Sequence, residues 1–253
     1  MSLRPFPLLA CLLAVGPGLA LAQATVKPDG QFRYALGAGG SYSSGNNSAA
    51  SVNVNGEAVR ATAVSKLRFG GKALWTRTDG DTTAENVELG TQYQQDFSPA
   101  WFGFGDAGYL RDKFANISSR LTAHGGVGYH AIKGESATWD LTVGAGYARD
   151  RYVDPAEVDG RLRSRYGRAE VTLGEESSHK LTDTASFRQK LTVFPALRSG
   201  AGVRTVFDTG LSVAMSPRFA LTVGFTHRYD SEPGEGLKKN DTLVVTGLTL
   251  KFD

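Results

Sequence analysis

The stretch TWDLTVGAGYARDRY, residues 138–152, decides the fold. From Trp139 to Tyr147 every second residue is apolar or aromatic: Trp139, Leu141, Val143, Ala145 and Tyr147. The residues between them are polar or small. A period of two places successive side chains on opposite faces of an extended chain. One apolar face and one polar face predict a β-strand that is buried on one side only.

The end of this stretch is repeated elsewhere in the chain. The heptapeptide GYLRDKF at 108–114 returns as GYARDRY at 146–152, with an interval of 38 residues. A repeat at a fixed spacing indicates one structural unit that is used again. Two long strands and their turns account for such an interval, so each copy would stand where an odd-numbered strand runs out into a loop.

Alternating runs of this kind recur about twelve times, each roughly 10–13 residues long. They lie near 31–43, 50–60, 66–78, 84–96, 101–112, 119–132, 138–149, 165–177, 184–195, 203–214, 218–230 and 241–252. Strands of soluble sheets usually have about five or six residues. A tilted strand that crosses a membrane needs about 9–11. The pattern predicts an all-β protein, a transmembrane antiparallel up-and-down β-barrel of about twelve strands.

The connections between the runs alternate in length. Short turns are predicted around 61–65, 97–99, 133–137, 179–183 and 216–217. Longer polar loops are predicted at 43–48, 78–83, 111–119, 149–164, 195–202 and 230–240. Short turns at one rim and long loops at the other are typical of outer-membrane barrels. Both termini would then lie at the short-turn rim, in the periplasm.

A soluble β-sandwich is the alternative fold. Its strands would be shorter and its outer face more charged. In this chain the apolar face of the runs carries almost no charge. A lipid-facing wall requires this, since a charge at the middle of the membrane costs roughly 2–4 kcal/mol. In the fifth run Trp101 and Tyr109 compete with Phe102 and Phe104 for the lipid face, and Asp106 favours placing the latter pair inward.

Residues 1–22 predict a cleavable secretory signal peptide, and 23–253 a single barrel domain. Arg4 supplies the positive charge, an apolar run follows, and Ala20-Leu21-Ala22 forms a small-x-small cleavage pattern before Gln23. The one cysteine, Cys11, lies inside this peptide. The mature chain would therefore contain no cysteine and no disulfide.

The polar face of the runs is predicted to line the lumen. The candidate lumen residues are Arg68, Lys72, Glu88, Asp140, Arg168, Glu170, Arg188, Lys190, Arg204 and Asp208. An interface girdle is predicted from Trp75, Tyr109, Tyr147, Phe225 and Tyr229, because aromatic rings favour the boundary between lipid and water.

Three of the lumen cations are expected to form one patch. Arg188, Lys190 and Arg204 lie on the ninth and tenth runs, with Asp208 as the only acid expected near them. Eight strands make a filled barrel and sixteen leave a channel, so twelve leaves both an open and a filled lumen possible. Unpaired cations in an open lumen would favour anions.

Few residues suggest catalysis or a cofactor. The four histidines lack metal-ligand spacing, so no metal and no cofactor are expected. His227 lies at the depth of the interface, yet the sequence places no serine beside it, which leaves lipid hydrolysis as a third hypothesis. We expect no enzyme. The formal net charge of +3 gives no case for nucleic acid.

The chain resembles the YdiY-like family of salt-induced outer-membrane proteins, whose domain has no known function. The similar segments are 36–47, 82–89, 102–114, 125–129, 144–149 and 229–242. The resemblance implies a barrel in the outer membrane of a Gram-negative bacterium, a response to salt and no catalytic residues. Expected partners are outer-membrane lipid, lipopolysaccharide and the barrel-assembly machinery. We expect a narrow porin-like channel for small polar solutes, with a closed structural or loop-presenting barrel as the alternative.

Overall fold

The computed structural model describes residues 17–18, 23–43, 49–158, 160–197, 202–232 and 238–252. Twelve long antiparallel strands make up the fold: β1 Phe32–Ser43, β2 Ala49–Ala61, β3 Ser65–Thr78, β4 Asp81–Asp96, β5 Trp101–Asp112, β6 Ile117–Lys133, β7 Ala137–Val158, β8 Arg161–Lys180, β9 Ala185–Pro195, β10 Val203–Ala214, β11 Phe219–Asp230 and β12 Asn240–Phe252. None of the described residues forms a helix long and apolar enough to cross a membrane.

The sheet closes on itself. Each strand pairs with the next along the chain, and β12 pairs back with β1 from Leu248↔Ala38 to Phe252↔Tyr34. The predicted twelve-stranded up-and-down barrel is confirmed. Because the strand number is even, Phe32 and Phe252 lie at the same end, here called the lower rim. The predicted signal peptide falls outside the described residues apart from Pro17–Gly18, which pairs in parallel with Val244–Val245, so its cleavage stays a prediction.

The outer wall is apolar because the strands alternate. Leu36, Leu89, Leu121, Val143 and Phe219 are all exposed on it. Exposure also decides which face of β5 points outward. Trp101 is 46% exposed, whereas Phe102 is 1% exposed. Phe102 points into the barrel and covers Gly128 of β6, where a Cβ would collide with its ring.

The upper rim differs from the prediction at three connections. The expected loop 78–83 is a two-residue turn, in which Asp79 and Gly80 have φ of 51° and 92°. Two positive φ values are the type I′ geometry that fits the twist of a hairpin, and Asp-Gly is a preferred sequence for it. The expected loop 111–119 shrinks to residues 113–116.

The prediction of a long loop at 149–164 is wrong. β7 continues to Val158 and β8 begins at Arg161, so the segment is a hairpin that extends beyond the neighbouring strands. The register shifts between Arg151 and Ala156. Asn116 supports the shifted stretch, since its side chain donates to the Asp154 carbonyl at 2.9 Å and accepts from the Asp154 amide at 2.9 Å. These bonds replace ladder bonds lost at the irregularity.

The interior is packed most tightly where the first and last strands meet. Asn53 and Thr222 are almost completely buried, and Thr222 hydrogen-bonds Thr249 at 3.1 Å between their hydroxyls. Gly37 leaves room for Asn55, whose Oδ1 would lie 2.7 Å from a Cβ at that position. Short polar side chains thus fill the barrel beside β1, β2, β11 and β12, and the remaining space lies toward the other strands.

Candidate functional site

A cavity of about 450 Å³ occupies the barrel interior away from the closed side. Described residues of ten strands line it, from β2 to β11, and none of its lining comes from the described parts of β1 or β12. The volume is in the range of small-molecule sites, roughly 300–1,000 Å³. The cavity is therefore large enough for a small solute and lies off the barrel axis.

More cations than carboxylates face this cavity. The lining cations are Arg68, Lys72, Arg120, Arg188, Lys190, Arg204 and Arg228. The lining carboxylates are Glu57, Glu88, Asp106 and Asp208. Three further carboxylates, those of Asp150, Glu170 and Glu176, bind these cations without lining the cavity. The surface that a solute meets is thus more positive than the interior as a whole.

One group of ion pairs crosses the lumen in its lower half, and we call Glu57, Arg68, Glu176 and Arg188 the lower bridge. Arg68 on β3 reaches Glu176 on β8 at 3.0 Å, and Arg188 on β9 reaches Glu57 on β2 at 3.3 Å. Arg188 also donates to Glu176 at 2.9 Å. Arg68 Nε lies 3.2 Å from Glu57 without hydrogen-bond alignment. Between Arg68 and Glu176, and between Arg188 and Glu57, at least four strands intervene in either direction around the wall. These two pairs therefore span the lumen.

A second group crosses the lumen nearer its middle, and we call Lys72, Glu88, Asp208 and Arg228 the middle bridge. Lys72 lies 3.2 Å from Glu88 on the neighbouring strand and 4.0 Å from Asp208 on the far side. Arg228 of β11 donates to Glu88 of β4. The two bridges together divide the interior into the packed side and the cavity side.

A third group lies along the wall, and we call Arg120, Asp150, Arg168, Glu170 and Arg204 the wall cluster. Arg120 binds both oxygens of Asp150, at 2.7 and 2.8 Å, and Arg168 donates to Asp150 at 3.2 Å. Arg204 binds both oxygens of Glu170, at 2.6 and 2.7 Å. Glu170 and Asp150 are 0% and 1% exposed. These partners come from β6, β7, β8 and β10, so the cluster links neighbouring strands of the sheet.

His124 joins the wall cluster to β5. Its Nε2 lies 2.9 Å from Glu170 and its Nδ1 lies 2.8 Å from Asp106. The ring also stands 5.3 Å from the Phe194 ring, over which the Arg204 guanidinium lies at 5.0 Å. A buried carboxylate such as Glu170 needs several donors to offset its desolvation, and His124 supplies one of them.

Eight of the ten residues predicted for the lumen belong to these three groups, and Asp140 and Lys190 lie outside them. Arg68 and Arg188 belong to the lower bridge, and Lys72, Glu88 and Asp208 to the middle bridge. Arg168, Glu170 and Arg204 belong to the wall cluster. Asp140 accepts from His130 at 2.7 Å near the lower rim, and Lys190 lies 3.9 Å from Glu176.

The expectation that Asp208 is the only acid near Arg188, Lys190 and Arg204 is wrong. Asp208 stands opposite Lys190 in the register, but its carboxylate accepts from the Thr226 hydroxyl at 2.6 Å. The acids beside the three cations are instead Glu57, Glu176 and Glu170, and Arg204 belongs to a different cluster from Arg188. Sequence reasoning also missed Glu57 and Glu176, although both have the inward parity of their runs.

The five residues predicted for the girdle stand on the outer face of their strands. Trp75 and Tyr147 are 37% and 53% exposed. Tyr109 is paired with Leu121, Phe225 with Val244, and Tyr229 with Asn240. All five lie toward the upper ends of their strands, but no contact with lipid is described, so their role stays a prediction.

The segment before β1 enters the barrel from the lower rim. Gln23 lines the large cavity, and Ala24 packs against Ala35 and Val59. The Ala24 amide donates to Glu57 Oε2 at 2.9 Å. The same carboxylate belongs to the lower bridge, so the start of the predicted mature chain is attached to the ion pairs that cross the lumen.

The structure places a hydroxyl beside His227 that the sequence did not reveal. Thr242 Oγ1 lies 2.9 Å from His227 Nδ1 on the outer wall. No other hydrogen bond to this ring is found among the described residues, so nothing there orients it as a general base. The described residues also contain no group of three or more His, Cys, Asp or Glu side chains that could hold a metal ion.

Comparison with known sequences identifies the family. The family described as "Protein of unknown function, DUF481" matches residues 36–252, which is nearly the whole barrel. The chain belongs to this family. It is 26% identical over 166 residues to the uncharacterized protein YdiY of Escherichia coli strain K12, a match that covers 65% of this chain and 61% of that protein. The predicted YdiY-like membership is confirmed.

Comparison with solved structures concerns the fold alone. The NanC porin is 10% identical, with a TM-score of 0.50, and the match covers 87% of this DUF481 chain and all of that one. The translocator domain of the autotransporter NalP from Neisseria meningitidis is 11% identical, with a TM-score of 0.47 over 88% of this chain and 87% of that one. The likeness to the NanC porin supports the barrel architecture alone, and at this identity it says nothing about a substrate.

Proposed function

We propose that this DUF481 protein is an outer-membrane channel that lets small polar solutes cross and favours anions. The closed barrel and its apolar outer wall support the location, because a spanning structure must satisfy its backbone internally and face lipid with apolar side chains. The aromatic girdle fits the same location.

The off-centre cavity is the observation that carries the transport function. A closed wall of twelve strands could be filled solid, as it is beside β1 and β12, yet about 450 Å³ stays free on the other side. The excess of cations on that surface supports a preference for anions, as rings of Arg or Lys do in anion pores.

A closed structural barrel is the second candidate, and the two bridges favour it. Their ion pairs join opposite sides of the wall, which is the arrangement expected when side chains fill the interior. A barrel of this kind would stabilise the envelope or present the protruding hairpin between β7 and β8 to a partner, without transport.

Planar-bilayer recording separates the two candidates. A channel gives discrete conductance steps and a reversal potential displaced toward that of the anion in a salt gradient. Arg188→Gln combined with Lys190→Gln should reduce this displacement, whereas Lys180→Gln, an exposed cation at the lower rim, should leave it unchanged. Purified protein that folds but never conducts would support the closed barrel instead.

Location is tested separately. Fractionated membranes should contain the protein in the outer membrane, and unboiled protein in detergent should run as a band that shifts on heating. A chain that is soluble without detergent would contradict the proposal. The link to salt or osmotic stress stays a prediction, checked by growth at high salt with the gene deleted.

A further inference from the structure

A second, much smaller cavity lies next to the large one. Its volume is about 30 Å³, and its lining includes Lys66, Asp140 and Glu176. Four residues line both cavities: Gln92, Thr142, Lys190 and Thr192. The side chains of these four residues therefore form the neck between the two spaces.

The small cavity lies on the way to the lower rim. Asp140, which lines it, accepts from His130 at 2.7 Å, and His130 lies 3.3 Å from Asp96 at the end of β4. The lower bridge obstructs the centre of the lumen at a similar depth. A route from the large cavity to this rim thus runs beside the bridge, through the neck and the small cavity.

Lys190 is the charged member of the neck, and it is loosely held. Its ammonium is 3.9 Å from Glu176, beyond hydrogen-bond distance. Asp208, its partner in the register, is bonded to Thr226 instead. The Lys190 side chain is 43% exposed inside the barrel, whereas that of Lys72, which is bound to Glu88, is 10% exposed.

The size of the small cavity limits what can pass in this conformation. A space of about 30 Å³ holds one or two water molecules. A solute that fits the large cavity cannot continue unless a neck side chain moves. Lysine has a flexible four-carbon stem, so an anion that enters the neck can draw the ammonium away from Glu176 and widen the passage.

We infer that Lys190 is both the gate and the charge filter of the channel, and that it selects small anions such as carboxylates or phosphates. This inference rests on the proposed channel function. Lys190 would then set both the width of the neck and its preference for anions, and different substitutions can change these two properties separately.

The experiment records single-channel conductance and reversal potential for Lys190→Met and Lys190→Ala in planar bilayers. Lys190→Met keeps the length of the side chain and removes its charge, so anion preference should be lost while conductance stays close to that of the unmodified protein. Lys190→Ala also shortens the side chain, so anion preference should be lost and conductance should rise. Lys180→Met, at an exposed lysine of the lower rim, is the control and should leave conductance and selectivity unchanged. Lys72→Met, at a lumen lysine outside the neck, should reduce anion preference less than Lys190→Met does.

Three outcomes would count against the inference in different ways. An unmodified protein that conducts, with both Lys190 variants matching it in conductance and selectivity, overturns the gate and leaves the channel standing. Equal effects of Lys72→Met and Lys190→Met show a general field of lumen cations and overturn the assignment to Lys190. An unmodified protein that does not conduct overturns the channel itself. Each variant is first checked for the heat-shifted gel band, and Lys190→Gln replaces Lys190→Met if the latter does not fold.

Discussion

The lower bridge and the wall cluster use the same residue types and differ in where their partners stand. In the lower bridge, Arg68 and Arg188 each bind one carboxylate on the opposite side of the barrel, in addition to one on the neighbouring strand. In the wall cluster, Arg120 binds a carboxylate on the adjacent strand, and Arg204 binds one that is two strands away. The first arrangement occupies the lumen, and the second stays against the sheet.

This difference separates two functions of interior charge. A pair that crosses the lumen restricts passage, because its side chains and their bonds occupy the space a solute would need. A pair along the wall holds strands together and leaves the space free. Breaking the wall cluster should therefore affect mainly stability, and breaking the bridge should affect mainly permeation.

The largest expected loss of stability is at Glu170. Glu170→Gln removes a completely buried charge that binds Arg204, Arg168 and His124. Removing one partner from a buried ion pair typically costs about 3–5 kcal/mol. The free energy of unfolding, measured by urea titration of the folded gel band, should fall by that order. Glu157→Gln, an exposed acid on the protruding hairpin, is the control and should show no change.

A smaller loss is expected at Glu176 of the lower bridge. Glu176→Gln weakens contacts to Arg68 and Arg188, but the Glu176 side chain is 19% exposed and both arginines keep Glu57 nearby. We expect a loss of roughly 1–3 kcal/mol, the usual cost when a charged hydrogen-bond partner is removed. The same urea titration measures it, and a loss larger than that at Glu170 would reverse our ranking of the two groups.

The sequence was sufficient for the barrel and its strands, because a period of two over long runs leaves little choice of structure. It failed at the 78–83 and 149–164 connections, where polar and charged residues resemble a loop. The Asp-Gly pairs at 79–80 and 159–160 were the available turn signal. At Gly160 the structure has a φ of +67°.

The interior could be predicted only to the level of which side chains point inward. Parity placed Arg68 and Arg188 in the lumen, but one partner of each lies on a distant strand, and that contact depends on how the barrel closes and staggers. Asp208 shows that strand register alone does not predict which side chain binds a carboxylate. Register alone puts it opposite Lys190, while the Thr226 hydroxyl on the next strand offers a direct hydrogen bond.

Cysteine labelling tests whether Glu57 of the lower bridge holds the segment before β1 inside the barrel. Ala24→Cys should react slowly with a membrane-impermeant maleimide, because Ala24 is 8% exposed and its amide is bound to Glu57. Val26→Cys, at a position that is 51% exposed, is the control and should react quickly. The predicted mature chain has no other cysteine. Adding Glu57→Gln should speed the reaction at position 24, and equal rates at both positions would show that the segment is not held in the barrel.

The smallest effect is expected at Asp29, outside the barrel. Its carboxylate accepts hydrogen bonds from both terminal nitrogens of Arg33, which hold the pKa of Asp29 below its usual range. A lowered pKa contributes stability above the pKa of the unfolded chain, and this contribution is lost as the pH falls through the folded value. Asp29→Asn should therefore lower the melting temperature slightly at neutral pH, and the difference should shrink in acid. A difference that grows in acid would contradict this assignment.

The comparison of the two groups is tested most directly by single-channel recording of Glu176→Gln beside Glu170→Gln, under conditions in which both are folded. The account predicts a higher conductance for Glu176→Gln, since the lower bridge is loosened, and a conductance equal to that of the unmodified protein for Glu170→Gln, since the wall cluster does not cross the passage. Equal conductance in all three proteins, or a rise confined to Glu170→Gln, would contradict the claim that the bridge restricts the lumen.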